Sequence, residues 1–237
     1  MNDAVAHFGD GKLNGIVVCT PTFTHDAVIR EAAEHGLHIF TEKPVDATSE
    51  KVGSLFDFCD ERNVKLCCGF QRRFDVTYKA VADAVRAGKI GKALSAAIFF
   101  ADHPCPPIEF LLTGGDIFMD LSAHDVDYIR WALDDEVESV YATGSSSTAE
   151  LKNAGVYDNA TMVLSFNKGA VVTLTMSRSA SYGYDQRCEI FGTEGLASVN
   201  NEFADSSIIS NKGGIQQARL KHSFPERFDA AFAKEID

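Results

Sequence analysis

The chain has 237 residues, 45% of them hydrophobic, 24% charged and 10% aromatic, which suffices for one large core or two small ones. Its 22 Lys and Arg against 34 Asp and Glu leave a net charge of −12, a balance that repels phosphate backbones and, with no basic run, excludes a nucleic-acid partner. No apolar run nears the ~18 residues of a membrane span, the first ten residues lack a signal-peptide pattern, and six cysteines without a C-x-x-C pair read as small buried thiols of a reducing cytoplasm, not zinc ligands.

Up to Gly91, apolar runs alternate with helical stretches. Leu13 to Thr20 is nearly all apolar, as expected of a parallel strand covered on both faces. Pro21 ends it. His25 to Gly36 reads as a helix with Ala27, Val28, Ala32 and Ala33 inward. Leu37 to Thr41 is a second strand. Ser49 to Arg62 is a second helix, its Val52, Leu55, Phe56 and Cys59 at helical spacing. Val64 to Phe70 gives a third strand and Tyr78 to Ala87 a third helix. Strands alternating with helices predict right-handed crossovers and a parallel sheet.

After Gly91 the rhythm changes. Ala93 to Ala101 is a long strand, followed by a proline-rich loop and one long helix, Ile117 to Leu133. Short strands follow at Val137–Ala142, Thr161–Phe166, Ala170–Ser177, Gln186–Phe191, Leu196–Val199 and Ser207–Ile209. Asn167-Lys168-Gly169 and Thr193-Glu194-Gly195 are hairpin-turn signals. Phe224, Phe228, Phe232 and Ile236 form a last helical stripe. The expected fold is thus α/β followed by α+β. Residues 1–91 form the C-terminal half of a Rossmann-type parallel sheet, and residues 92–237 a domain with a large open, mainly antiparallel sheet.

Ligands of parallel sheets bind at the carboxyl ends of the strands, which singles out three stretches. Thr20-Pro21-Thr22-Phe23-Thr24-His25 closes the first strand and opens a helix, a wall suited to a dinucleotide; it reads equally as a loop with Thr24 as helix cap. Thr41-Glu42-Lys43-Pro44 puts an ammonium at the lip of the second strand, although a solvated Glu–Lys pair has the same pattern. In Gly114-Gly115-Asp116-Ile117-Phe118-Met119-Asp120-Leu121-Ser122-Ala123-His124-Asp125-Val126-Asp127, Asp120 and His124 stand four apart and Asp127 three further on. A carboxylate one turn from an imidazole suits a general base, or is a surface cluster. One His and two carboxylates on one helix do not complete a metal shell.

In this order, T-P-T-x-T-H, E-K-P, G-F-x-R-R-F and G-G-x(4)-D-x(3)-H-x(2)-D resemble the Gfo/Idh/MocA family of NAD(P)-dependent oxidoreductases. Gly69-Phe70-Gln71-Arg72-Arg73-Phe74-Asp75 and the stretch from Tyr182 to Gly192 are most similar to its inositol 2-dehydrogenase branch. The resemblance implies hydride transfer between NAD, or NADP, and a ring carbon bearing a hydroxyl of a polyol or sugar. It implies Lys43, Asp120 and His124 as catalytic: Lys43 beside cofactor and substrate hydroxyl, His124 as the acid/base, Asp120 orienting the substrate. It implies Thr20, Pro21, His25, Glu42 and Lys43 against the dinucleotide, and His103, Asp120, Tyr182 and Tyr184 around the polyol. It also implies a homodimer or homotetramer built on the open sheet.

The family's opening strand, G-x-G-x-x-G and helix have no counterpart in these 237 residues. Gly9-Asp10-Gly11-x-x-x-Gly15 has the wrong spacing and precedes a strand, so it reads as a surface loop. The expectation is a fragment, an incomplete gene model or a degenerate paralogue, whose half-sheet exposes an edge strand. The alternative function is a non-catalytic remnant that binds a polyol or serves as an oligomerisation partner.

Overall fold

The computed structural model describes residues 13–113 and 117–236. Gly9 to Gly11, and Gly114, Gly115 and Asp116 of the glycine-aspartate motif, lie outside them. By packing the chain forms two units, residues 1–70 and 71–237. The division expected near Gly91 falls instead at Phe70 and Gln71, because the third helix packs within the second unit.

In the first unit β1 (Gly15–Val18), α1 (His25–Glu34), β2 (His38–Thr41), α2 (Ser49–Asp60) and β3 (Leu66–Cys68) alternate. The strands form one parallel sheet in the order β1-β2-β3. Val18 and Ile39 of the sheet pack with Ile29, Ala32 and Ala33 of α1 and with Leu55 and Cys59 of α2. The Thr48 hydroxyl caps α2 by accepting from the Lys51 amide. Val17 on β1 is half-exposed.

The second unit opens with α3 (Val76–Arg86) and the predicted β4 (Ala93–Ala101). Asp75 accepts from the amides of Thr77 and Tyr78 and so caps α3. A short helix, α4 (Ile108–Thr113), follows the proline-rich loop; an element of six residues is too short to carry a periodic signal. The predicted long helix begins with a π-helical turn, Ile117–Leu121, and continues as α5 (Ser122–Leu133). Then come β5 (Val137–Ser145), α6 (Ala149–Asn153), β6 (Asn159–Phe166), β7 (Val171–Ser177), β8 (Asp185–Gly192), β9 (Leu196–Val199), the hairpin strands β10 (Ile208–Asn211) and β11 (Gly214–Gln217), and α7 (Phe224–Ile236). The five-residue α6 and the polar strand β11 also lacked a sequence signal.

The six-stranded sheet runs β5-β6-β7-β4-β8-β9. Its pairs are antiparallel except β4 with β7, which run parallel from Ser95↔Val171 to Ala101↔Ser177. Both predicted hairpins form, β6–β7 and β8–β9. A Cβ at Gly192 would collide with the Ile90 carbonyl, so glycine lets the β8–β9 turn close onto the loop that leads into β4. Strict alternation places Val172, Leu174 and Met176 of β7 in the core while Val171, Thr173 and Thr175 face out. The inner face packs on α3 and α5 through Tyr78, Val81, Tyr128, Ile129 and Ala132. In α7 the expected aromatic stripe is broken. The helix kinks at Phe228, which is buried with Arg227 and Ala231, whereas Phe224 and Ile236 are exposed.

Cys59 and Cys188 are buried, but Cys19, Cys67 and Cys105 are exposed, which corrects the reading of all six as core thiols. Among the described residues no helix is long and apolar enough to cross a membrane.

Candidate active site

The first unit's polar strand ends carry Thr20, Pro21, Glu42 and Lys43. Thr20 and Pro21 are exposed, Glu42 and Lys43 half-buried. Burial pushes the Glu42 carboxyl up, against the lowering pull of the Lys43 amide and ammonium. His25, expected against the dinucleotide, is 1% exposed. Its Nδ1 lies 3.0 Å from the Pro44 carbonyl and its Nε2 2.8 Å from the Thr20 carbonyl, so it ties the loop after β1 to the loop after β2 and has no surface left for a ligand. The Thr24 hydroxyl meets Thr20 Oγ1 at 2.6 Å and the Pro21 carbonyl at 2.7 Å and does not cap α1.

In the second unit the chemistry gathers where β4 and β7 end side by side. The Asp102 amide donates to the Ser177 carbonyl (2.9 Å), and the Ala180 amide to the Asp102 carbonyl (2.8 Å). His103 Nδ1 lies 2.7 Å from the Ala180 carbonyl. A carbonyl only accepts, so Nδ1 is the donor in this contact and Nε2 is left to meet a hydroxyl. Its ring meets that of His222 edge-on at 4.9 Å. Arg178, the residue after β7, is 1% exposed and donates to Asp120 Oδ2 (2.6 Å) and Asp102 Oδ2 (3.3 Å). Asp120 belongs to the π-helical turn and His124 to the first turn of α5. Asp127, the third member of that stripe, is held by both ends of the Arg73 guanidinium (2.9 and 2.6 Å).

The two tyrosines part company. Tyr182 is exposed and donates to Asp185 Oδ2 (2.7 Å); burial, then that carboxylate, pushes its phenol up to about 12. Tyr184 is 5% exposed and belongs to the core. Its hydroxyl accepts from Gln186 Nε2 (2.6 Å), and its ring stands edge-on to Phe100. The expectation that Tyr184 lines a polyol pocket is therefore corrected: it fills space beneath the strand end.

Sequence reasoning assigned no role to Arg178, His222 or Asp185. Burial pushes the Asp185 carboxyl up, but donors from Arg187, Tyr182 and Asn201 (2.8, 2.7 and 2.6 Å) outweigh it and hold the group below the usual carboxylate range. A depressed carboxyl adds stability that is present above its unfolded value of about 3.9 and is lost as pH falls through the lower folded value. Acid unfolding followed by circular dichroism should therefore show a steeper loss below about pH 4 in the unsubstituted chain than in Asp185→Asn.

A parallel strand–helix layer joined to a helix-backed mixed sheet that presents a carboxylate and an imidazole defines a dinucleotide-dependent oxidoreductase. The comparisons with known proteins agree. The model described as "Oxidoreductase family, NAD-binding Rossmann fold" matches residues 2–70, and the GFO/IDH/MocA C-terminal domain matches residues 78–198. The inositol 2-dehydrogenase of Rhizobium meliloti (strain 1021) is 35% identical over 236 residues, 99% of this chain and 71% of that protein. The crystal structure of a probable dehydrogenase from Thermotoga maritima superposes with a TM-score of 0.93 at 33% identity, over 99% of this chain and 71% of that one. That of scyllo-inositol dehydrogenase from Lactobacillus casei, with bound NAD(H) and scyllo-inositol, gives 0.87 at 28% identity, over 99% and 70%. The chain belongs to the GFO/IDH/MocA oxidoreductase family.

NAD is the cofactor of this family's Rossmann domain, and the donor set fits it in part. Thr20, Pro21, Glu42 and Lys43 are polar or exposed at the carboxyl ends of β1 and β2, where a dinucleotide lies along such a sheet. No G-x-G-x-x-G turn that would hold the pyrophosphate occurs in the 237 residues.

Proposed function

We propose that the chain oxidises a ring hydroxyl of an inositol or a closely related polyol, with Lys43, Asp120 and His124 as its catalytic groups. When bound, the nicotinamide supplies the hydride acceptor. His124 accepts the hydroxyl proton as the carbon is oxidised, and the Lys43 ammonium stabilises the developing negative charge on oxygen. Asp120 accepts a hydrogen bond from the substrate and orients it. His103, through Nε2, and Tyr182 hydrogen-bond neighbouring ring hydroxyls. Thr20, Pro21, Glu42 and Lys43 line the cofactor.

The observation that carries this reading is the Asp120 carboxylate, held by Arg178 at 2.6 Å one helical turn before His124. A relative whose solved structure holds NAD(H) and scyllo-inositol supports the substrate class. The test is growth of reduced-nicotinamide absorbance on addition of myo-inositol and NAD to the chain supplied with a glycine-turn segment from a full-length relative. A folded fusion that stays inactive favours the non-catalytic reading.

The cytoplasm is the compartment such a chain suits. Two copies are proposed to pair through the outer face of the large sheet. That face presents Ser95, Ala97, Thr173 and Thr175 with Val171 and Phe191, and beside them Arg187 and Glu189 of β8, whose opposite charges can meet their counterparts across a two-fold axis. Thr173→Arg, which points a charge from the middle of that face, should turn a dimer or tetramer into monomer in light scattering while leaving the circular dichroism spectrum unchanged.

A further inference from the structure

Arg178 is a fully buried guanidinium that joins three separately built pieces of the second unit. Because β4 and β7 run parallel with Ala101 opposite Ser177, the chain leaves both strands at the same edge. Asp102 and Arg178 therefore emerge as neighbours. Main-chain bonds fix both: the Asp102 amide to the Ser177 carbonyl, and the Arg178 amide to the Asp158 carbonyl at 2.8 Å. The third piece is the π-helical turn, Ile117–Leu121, which brings Asp120 to the same guanidinium. π-helical turns are uncommon and concentrate at functional sites.

We infer that Arg178 is the positioning residue of this active site: it sets the direction and the charge of the Asp120 carboxylate and registers it against the strand end that carries His103. The inference rests on the substrate role proposed for Asp120. The short fork arm, 2.6 Å, goes to Asp120 and the long one, 3.3 Å, to Asp102. One guanidinium thus faces two carboxylates. Asp102 is the one displaced: burial pushes its carboxyl up, Arg178 pulls it down, and the charge of Asp120 raises it again. Asp158, at the foot of β6, binds the amide of Ser147 at 2.7 Å instead of joining the cluster. Among the described residues, the charged groups facing Asp120 include Arg178 and Asp102 from the strand ends, with His124 one turn along its own helix. A guanidinium fork suits this task, since an ammonium is a single point charge that cannot span both carboxylates in fixed geometry.

The test is a carbon-13 NMR titration of aspartate-labelled chain, with the Asp120 carboxyl signal assigned by its loss in Asp120→Asn. In Arg178→Met the Asp120 midpoint should rise by about one pH unit or more, the size of effect expected when an opposite charge in contact is removed. Arg178→Lys should give a smaller rise. Arg227→Met breaks a still more deeply buried pair, Arg227 with Asp75 at 2.7 Å, and should lower stability while leaving the Asp120 midpoint in place. That control separates positioning from general structural support. If Arg178→Met does not fold, the lysine variant decides. An Asp120 midpoint unchanged in a folded Arg178 variant, or moved as far by Arg227→Met, overturns the inference. Saturation-transfer NMR with myo-inositol tests the underlying reading separately. If Asp120→Asn keeps full contact with myo-inositol, Asp120 has no substrate role, whatever the titration shows.

Discussion

His124→Ala, placed in the chain supplied with a glycine-turn segment, should lower kcat for myo-inositol oxidation by about 100- to 10,000-fold, the usual worth of a positioned acid/base. A secondary alcohol releases hydride readily only if its hydroxyl proton leaves in step. Of the candidate groups, Lys43 is suited to stabilising oxygen charge and Asp120 is already engaged by Arg178. The imidazole is therefore the group proposed above as proton acceptor. KM should move much less than kcat, because the imidazole acts on the proton in flight and the other hydroxyls keep their partners. The unsupplemented 237-residue chain should turn over slowly, since it has no glycine turn to anchor the pyrophosphate and cofactor placement supplies much of the rate. Fast turnover by that chain would show that the strand-end residues alone hold the dinucleotide. A kcat that survives His124→Ala would move the proton acceptor elsewhere.

The second large effect is on stability. Asp125→Ala should cost about 3–5 kcal/mol, read from the urea midpoint at constant slope, because it strands a buried guanidinium. Asp125 is 0% and Arg72 2% exposed. One fork arm of Arg72 reaches Asp125 and the other Gln186 Oε1 at 2.9 Å, and its guanidinium stands 5.2 and 5.1 Å from the Tyr78 and Phe100 rings. The network is not fully satisfied: Arg72 Nε and Asp125 Oδ2 are buried with no hydrogen-bond partner. Replacing the pair, Arg72→Met with Asp125→Leu, should therefore cost clearly less than the single change, since removing both charges also removes their desolvation penalties. Equal losses in the single and double variants would mean that packing, not charge, dominates there. Against a typical total of 5–15 kcal/mol, the single variant sits near the unfolding threshold.

Much of this was legible in the residues. An unbroken apolar run announces a parallel strand, as at β1, and the turn signals at Asn167-Lys168-Gly169 and Thr193-Glu194-Gly195 announce the hairpins of the large sheet. Beyond those hairpins, which strand pairs with which was not legible. Ala93 to Ala101 says "strand" and nothing about a parallel partner some seventy positions on, because pairing is decided by the whole sheet. Arg178 was missed for that reason, as its meaning comes from standing beside Asp102. Tyr184 could have been read correctly. It shares parity with Gln186, Cys188 and Ile190, all buried, whereas Gly183, at a φ of 127°, resets the chain before it and frees Tyr182 from that rule. His25 gave no such clue, since a buried imidazole whose two ring nitrogens face backbone carbonyls looks, in sequence, like one waiting for a ligand. Lys43, Asp120 and His124 stood out through the order of the motifs.

The placement of β4 governs how this unit can assemble. β5, β6 and β7 are joined by local connections, as are β8 and β9, so each group can form early from neighbouring residues. Within the sheet neither group pairs with the other except through β4, which lies between β7 and β8. Seating it closes a long loop and must precede most of the cooperative gain, which makes the docking of Ala93–Ala101 the natural slow step of folding. Until it docks, β7 and β8 each present an open edge able to pair with another chain. High protein concentration during refolding, which speeds pairing between chains but not this intramolecular step, should convert the same sequence into aggregate through these two edges.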